Sequence, residues 1–148
     1  MNVVLLNESF KIQLLELISS VAAEHVLPQL EAAGREHYLA KLLPDIENCF
    51  ASHTGRYLGI LRNGCLVGAC GFSTKGHIAQ LFVRTNEQAR GIGTMLLNQA
   101  VSQCCSDRVT VNASINAVSY YKRQGFEPMQ EQRTVNGISF LPMAKVNN

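Results

Sequence analysis

The sequence predicts an α/β fold on a mixed sheet, antiparallel in its first strands and joined later by a parallel crossover. Three stretches carry that expectation. "RYLGILRNGCLVGACGF" reads as two strands around Asn63-Gly64, a strong hairpin signal because both turn residues tolerate positive φ. "HIAQLFVRTNEQARGIGTMLLNQAV" passes from a strand through a polar turn into a helix, and "RVTVNAS" supplies the next strand. The span His77 to Val111 therefore reads as a right-handed crossover. The tail "MQEQRTVNGISFLPMAKV" holds a second Asn-Gly hairpin.

The remaining elements follow in order. "VVLL" opens as a short strand. A helix is expected over "SFKIQLLELISSVAAEHVL", where Phe10, Leu14, Leu17, Ile18 and Val21 share a face and Ser9 suits the N-cap. Pro28 stops it, and a second helical run covers about Glu36 to Phe50. "GTMLLNQAVSQCC" is the crossover helix, and "NAVSYYKRQ" is a last helix closed by Gly125 at C′. No repeat, low-complexity segment or linker interrupts the 148 residues, of which 47% are hydrophobic, so one domain spanning 1–148 is expected.

Charge excludes some classes of function. Thirteen basic against eleven acidic residues, a net +2, give no argument for a nucleic-acid surface. Arg84, Arg90, Arg108, Lys122 and Arg123 fall in the second half, a handful of cations that suits a small anion better than a polymer. "MNVVLLNESFKIQ" has no basic segment followed by an apolar stretch and a small-residue cleavage site, and no window approaches a membrane span. A cytoplasmic protein with no membrane or nucleic-acid partner is the expectation. Five cysteines, an odd number with no C-x-x-C pair, read as reduced thiols with no metal site. Cys104 and Cys105 fall on the predicted crossover helix, facing different ways.

"QARGIG" at the mouth of the crossover helix is the chemical clue. A helix N-terminus offers unpaired N–H groups and about half a positive charge, and Gly91 and Gly93 let that backbone come close to an anion. A dinucleotide site would need a third glycine directly after the strand and an acid on the next one. Here "GIGTML" lacks that glycine, and Arg84 to Arg90 intervene. A P-loop would need Gly-Lys-Ser/Thr, and no lysine follows Gly93. A plain helix cap with no ligand leaves the concentration of Gln88, Arg90 and two glycines unexplained.

"QARGIG" is a Q-x-x-G-x-G preceded by "LFV", and "AVSYYKRQGFEP" contains Tyr-x-x-x-Gly-Phe. Together they resemble the two linked signatures of the GNAT superfamily of N-acetyltransferases, over essentially the whole chain. "EAAGREHYLAKL" and "NGISFLPM" are similar to a bacterial subgroup of small members. The resemblance implies a mostly antiparallel sheet splayed at a central parallel pair and flanked by helices. It implies acetyl-CoA as co-substrate and direct transfer, in a ternary complex, to a primary amine of a small molecule or peptide. Relatives are often dimers, so a homodimer is among the expected states.

Carried over residue by residue, the resemblance gives Leu81, Phe82 and Val83 as main-chain partners of pantetheine, one N–H polarising the thioester carbonyl. Gln88, Ala89, Arg90, Gly91, Ile92, Gly93 and Thr94 would wrap the pyrophosphate. Tyr121 matches the tyrosine beside the sulfur; its other reading is a packed helix residue. Tyr120 reads as structural. Ser114 stands where relatives often have asparagine, seven residues before Tyr121, and either contacts coenzyme or caps the helix.

An amine of pKa about 10.4 needs roughly 4–5 kcal/mol to lose its proton at pH 7. Eleven residues before Gln88, where a histone-acetylating branch has glutamate, stands His77, as base or as an exposed strand start. Gln80 is placed to orient a water. Glu24, Glu31, Glu36, Asp45 and Glu47 either attract a cationic acceptor or form a solvated face. Cys65 and Cys70 read as buried and inert. The competing function is a non-catalytic acyl-CoA-binding module.

Overall fold

A computed structural model describes residues 2–88 and 90–147. The chain runs β1 (Val3–Leu5), α1 (Lys11–His25), α2 (Ala32–Ala51), β2 (Gly55–Arg62), β3 (Cys65–Ser73), β4 (His77–Val83) and α3 (Ile92–Ser102). It continues through β5 (Arg108–Ser114), α4 (Val118–Arg123), β6 (Glu127–Pro128), β7 (Arg133–Val135) and β8 (Ile138–Val146). The strands form one sheet ordered β1-β2-β3-β4-β5-β8-β6, with β7 also on β8. Every pairing is antiparallel except β4 with β5, as expected for a crossover through α3.

Both Asn-Gly turns take the conformation that a tight hairpin needs. Asn63 and Gly64 have φ of 52 and 78, Asn136 and Gly137 of 52 and 77, so all four central positions are left-handed. Period-two alternation divides the sheet between two cores. Tyr57, Leu66 and Ala69 pack with Leu14, Leu17, Ile18 and Val21 of α1 and Leu42 and Ile46 of α2. Leu58, Ile60, Cys70 and Phe72 pack with Leu96, Leu97 and Ala100 of α3, together with Tyr121 and Phe126.

Helix boundaries moved for local reasons. Asn7, not Ser9, is the cap: its side chain accepts the Ser9 N–H at 2.9 Å and starts a 3-10 turn, so α1 begins at Lys11. α2 starts four residues before the expected position, at Ala32, and runs through Pro44, whose ring sits on the exposed side. α3 ends at Ser102, so Cys104 and Cys105 lie beyond it, the first buried and the second exposed. Cys65 is exposed beside the Asn63-Gly64 turn, not buried, because the strand has only just begun; Cys70, at mid-strand, is buried.

The end of α4 explains the Tyr-x-x-x-Gly-Phe spacing. Gly125 has φ 93; its N–H reaches Lys122 O at 3.1 Å, and the Phe126 N–H reaches Tyr121 O at 3.0 Å. That pair of bonds is a Schellman motif, and its usual hydrophobic partner contact is present: the Tyr121 and Phe126 rings meet edge-on, centroids 5.5 Å apart. The glycine terminates the helix, and the phenylalanine wedges the tyrosine in place. Gly125→Ala is expected to lower stability by about 1–2 kcal/mol, from φ strain alone. Urea unfolding should show an earlier midpoint with an unchanged m-value; a midpoint equal to that of the parent would contradict this account.

Candidate active site

β4 is built to part from its neighbour. Phe72 pairs with Ile78 and Gly71 with Gln80, so Ala79 is an extra residue, a β-bulge. The parallel ladder to β5 consists of His77↔Thr110 and Ile78↔Val111 and then stops. Beyond it, β5 pairs with β8 through Asn112, Ala113 and Ser114, while Leu81, Phe82 and Val83 keep only β3. One edge of β4 therefore presents unpaired main-chain groups to the gap, which in a protein interior would be costly unless something bonds them.

Two cavities, of about 660 and 680 Å³, open on this gap. Leu81, Phe82, Ser114, Ala117 and Tyr121 line both, so the cavities meet at the splay. The second runs along Val83 to Gln88, Gly91, Ile92, Gly93 and Thr94 at the mouth of α3. Gly91 is the N-cap, with φ 80, and no side chain caps the helix. The first backbone bond is Met95 N–H to Gly91 O at 3.0 Å, so the N–H groups of Ile92, Gly93 and Thr94 have no partner among the described residues. Three orphan donors and the helix dipole converge on an open space, an arrangement that suits an anion such as a pyrophosphate.

The expected loop residues divide by what they touch. Gln88 donates its amide to Val83 O at 2.9 Å, so its side chain ties the loop to β4. Ile92 is buried in the core and also borders the cavity. Thr94 Oγ1 lies 3.2 Å from the Tyr120 hydroxyl. Arg90 is exposed and does not line the cavity; Ala89 lies outside the described residues. Of the five second-half cations, only Arg123 lines it, while the Arg84 Nε donates to Leu66 O at 2.9 Å.

Tyr121 is 6% exposed, and burial pushes its phenol well above the usual tyrosine range. Its hydroxyl has no hydrogen-bond partner among the described residues and is not sealed from the cleft. Tyr120, read from the sequence as structural, lines the α3-mouth cavity but not the other one. Ser114 does not cap the following turn; its hydroxyl donates to Asn116 Oδ1 at 3.1 Å, and the Asn116 amide donates to His25 O at 2.9 Å. That chain fastens the end of α1 to the cleft.

His77 lines the first cavity, with Nδ1 2.7 Å from Thr110 Oγ1. Thr110 Oγ1 also lies 3.3 Å from Gly76 O; with its proton donated there, it accepts from His77 Nδ1–H, and in that tautomer Nε2 carries the lone pair. Burial lowers the His77 pKa, so the ring is neutral at pH 7. Gln80 accepts a hydrogen bond from the Tyr57 hydroxyl and also lines this cavity. Of the five acids considered from the sequence, only Asp45 lines it. Glu24 accepts from Thr85 Oγ1 at 2.9 Å, and Glu47 pairs with Lys11 at 3.3 Å.

A family model described as "Acetyltransferase (GNAT) domain" matches residues 27–147. The chain belongs to the GNAT acetyltransferase family. Acetyl-CoA is the co-substrate of that family, and the uncapped α3 mouth suits its diphosphate. None of the curated proteins compared matches the sequence. The fold is shared with a GCN5-related N-acetyltransferase from Rhodopseudomonas palustris at TM-score 0.80 and 19% identity, covering 98% of this chain and 94% of that one. It is shared too with the PaiA N-acetyltransferase of Thermoplasma acidophilum, solved with coenzyme A, at 0.74 and 17%, covering 99% of each chain. An aminoglycoside 6'-acetyltransferase type Ii matches at 0.74 and 18%, covering 100% of this chain and 98% of that one.

Sequence reasoning missed Glu87. Its side chain is 10% exposed and forms a two-pronged pair with Arg62, Oε2 to Nε at 3.0 Å and Oε1 to Nη2 at 2.9 Å. The pair anchors the turn before Gln88 to the end of β2, and only the tertiary fold brings residues 25 positions apart together. Glu87→Gln is expected to weaken this anchor by about 1–2 kcal/mol, Arg62 being partly exposed. The KM for acetyl-CoA should rise while kcat changes little; equal losses in both would contradict a positioning role. A Cβ placed on Gly91 meets no described atom within 4 Å, so the folding penalty of Gly91→Val comes mainly from φ strain, at least about 1–2 kcal/mol. Calorimetry should show coenzyme affinity reduced by at least about tenfold with the helical dichroism kept.

Proposed function

We propose that this protein moves the acetyl group of acetyl-CoA to a primary amine of a small molecule or peptide, by direct transfer with both substrates bound. One observation carries the reading: two cavities meet at the unpaired stretch of β4, with an uncapped helix mouth at the far end of one and a neutral histidine in the other. A donor thioester anchored by its diphosphate at Ile92–Thr94 would extend along Leu81–Val83 and end where the cavities join. The main chain of Leu81, Phe82 and Val83 would hold the pantetheine amides, and one N–H there would stabilise charge growing on the carbonyl oxygen.

His77 Nε2 takes a proton from the ammonium form of the acceptor, directly or through water ordered by Gln80. The amine nitrogen then bonds to the acetyl carbon, the carbon–sulfur bond breaks, and the electron pair leaves on sulfur. Overall an alkylammonium and the thioester give an amide, the coenzyme thiol and one proton. Tyr121 is the donor to the departing sulfur because it lines both cavities, which Tyr120 does not. Its raised pKa makes full transfer to a thiolate of pKa about 8.5 uphill, so it acts by a hydrogen bond rather than by ionising. Five unpaired cysteines suit a reducing compartment such as the cytoplasm.

Thiol release from acetyl-CoA over a panel of amines tests the reading, and coenzyme binding without turnover of any amine would favour a binding module instead. Tyr121→Phe should lower kcat by about 10–100-fold and leave coenzyme affinity within about twofold. Because burial disfavours the imidazolium, the acid limb of the wild-type kcat profile should fall below about pH 6.5. His77→Gln should lower the rate and abolish that limb; an unchanged profile would remove His77 as the base.

A further inference from the structure

The acceptor cavity has walls from five elements: Tyr38 and Leu42 on α2, Tyr57 on β2, Phe72 on β3, Phe82 on β4 and Phe140 on β8. Among the described residues, its charged or chargeable side chains besides Tyr121 and the tyrosines named are Lys41, Asp45, Cys49 and His77. Lys41 and Asp45 lie one turn apart on α2 and oppose each other in sign, and His77 is neutral. The Tyr38 phenol is pushed up to about 12 by burial, with Asp45 adding to the effect, so it too carries no charge at pH 7. The lining is mainly apolar and aromatic, its charged groups balance, and its other polar side chains, such as Asn48, Gln80, Asn112 and Ser139, are neutral. A polycation placed here would leave ammonium groups facing aromatic walls with one carboxylate to share, and each unpaired buried charge is strongly unfavourable.

Next to this cavity, α2 and the β7–β8 turn are in backbone contact. A Cβ placed on Gly34 would stand 2.7 Å from Gly137 O, and one on Gly137 would stand 3.1 Å from Gly34 Cα. Beside this contact, the Asn136 side-chain amide lies 3.3 Å from His37 Nε2. The start of α2 is thereby clasped to the β7–β8 turn, and the two walls that carry Tyr38 and Phe140 are joined. A polypeptide could not run between the start of α2 and the β7–β8 turn, which are already in van der Waals contact.

We infer that the acceptor is a small primary amine with a single positive charge and an apolar body of about ring size, and that polyamines and lysine side chains within proteins are excluded. The inference rests on the acetyltransferase reading and narrows its substrate. Phe140 lines only the acceptor cavity, which lets donor and acceptor effects be separated.

The test measures thiol release by the purified full chain with phenethylamine, isoamylamine, spermidine and an acetyl-blocked lysine peptide. Phenethylamine should exceed spermidine and the peptide in kcat/KM by at least about 30-fold, and Phe140→Leu should keep that order. Phe140→Glu should lower phenethylamine kcat/KM by at least about tenfold and raise that of spermidine, with coenzyme affinity within about twofold. Equal or better turnover of spermidine or the peptide by the wild type would overturn the inference and leave acetyl transfer standing. If no amine turns over, calorimetry on the coenzyme-loaded protein decides separately. Phenethylamine binding tighter than spermidine keeps the acceptor class and rejects transfer, and the reverse order, or no binding, rejects both.

Discussion

Between Ile78 and Gln80, strand β4 gains a residue relative to β3, and from there it has no ladder to β5. A sheet interrupted at its centre is ordinarily unstable, because unpaired main-chain groups gain nothing from a dry interior. Here the loss is limited by continuity on both sides: β4 remains paired with β3, and β5 with β8, through the whole length of the gap. The two halves of the sheet stay rigid while the seam between them opens. Both cavities, the exposed edge of β4 and the position of Tyr121 follow from this one interruption.

The elements around the seam are held by contacts that reach far along the chain. Glu87 and Arg62 fix the turn ahead of the α3 mouth, Asn116 fixes the end of α1, and the Gly34–Gly137 contact joins α2 to the last hairpin. The cavity at the α3 mouth ends on bare backbone donors and the other carries several aromatic side chains, so the two differ in chemistry where they meet. Tyr121 serves both packing and site. Its ring is wedged by Phe126, and the same wedge leaves its hydroxyl at the junction of the cavities.

Much of the architecture was legible because local signals and tertiary outcome agree. Asn63-Gly64 and Asn136-Gly137 required left-handed turns, and Gly125 a helix end, and all three are found. Q-x-x-G-x-G and Tyr-x-x-x-Gly-Phe each encode a backbone geometry, a bare helix mouth and a Schellman stop, so short patterns sufficed to locate them. Less legible was which side chains face the cleft. Arg90 and Arg123 are alike in sequence, yet only Arg123 lines the cavity, and of the neighbours Tyr120 and Tyr121, both at the α3 mouth, only Tyr121 also reaches the other cavity.

By itself the sequence determined the order and kind of the elements apart from the two-residue β6, both hairpin turns and the bare mouth of α3, because turn chemistry and periodicity act over a few residues. The tertiary structure decided the rest: where β4 parts from β5, that Glu87 meets Arg62, that Asp45 alone among the five acids considered borders the His77 cavity, and that the start of α2 touches Gly137. Those facts depend on the packing of segments distant in the chain, and no local pattern specifies which surfaces will face one another once the sheet has twisted and closed.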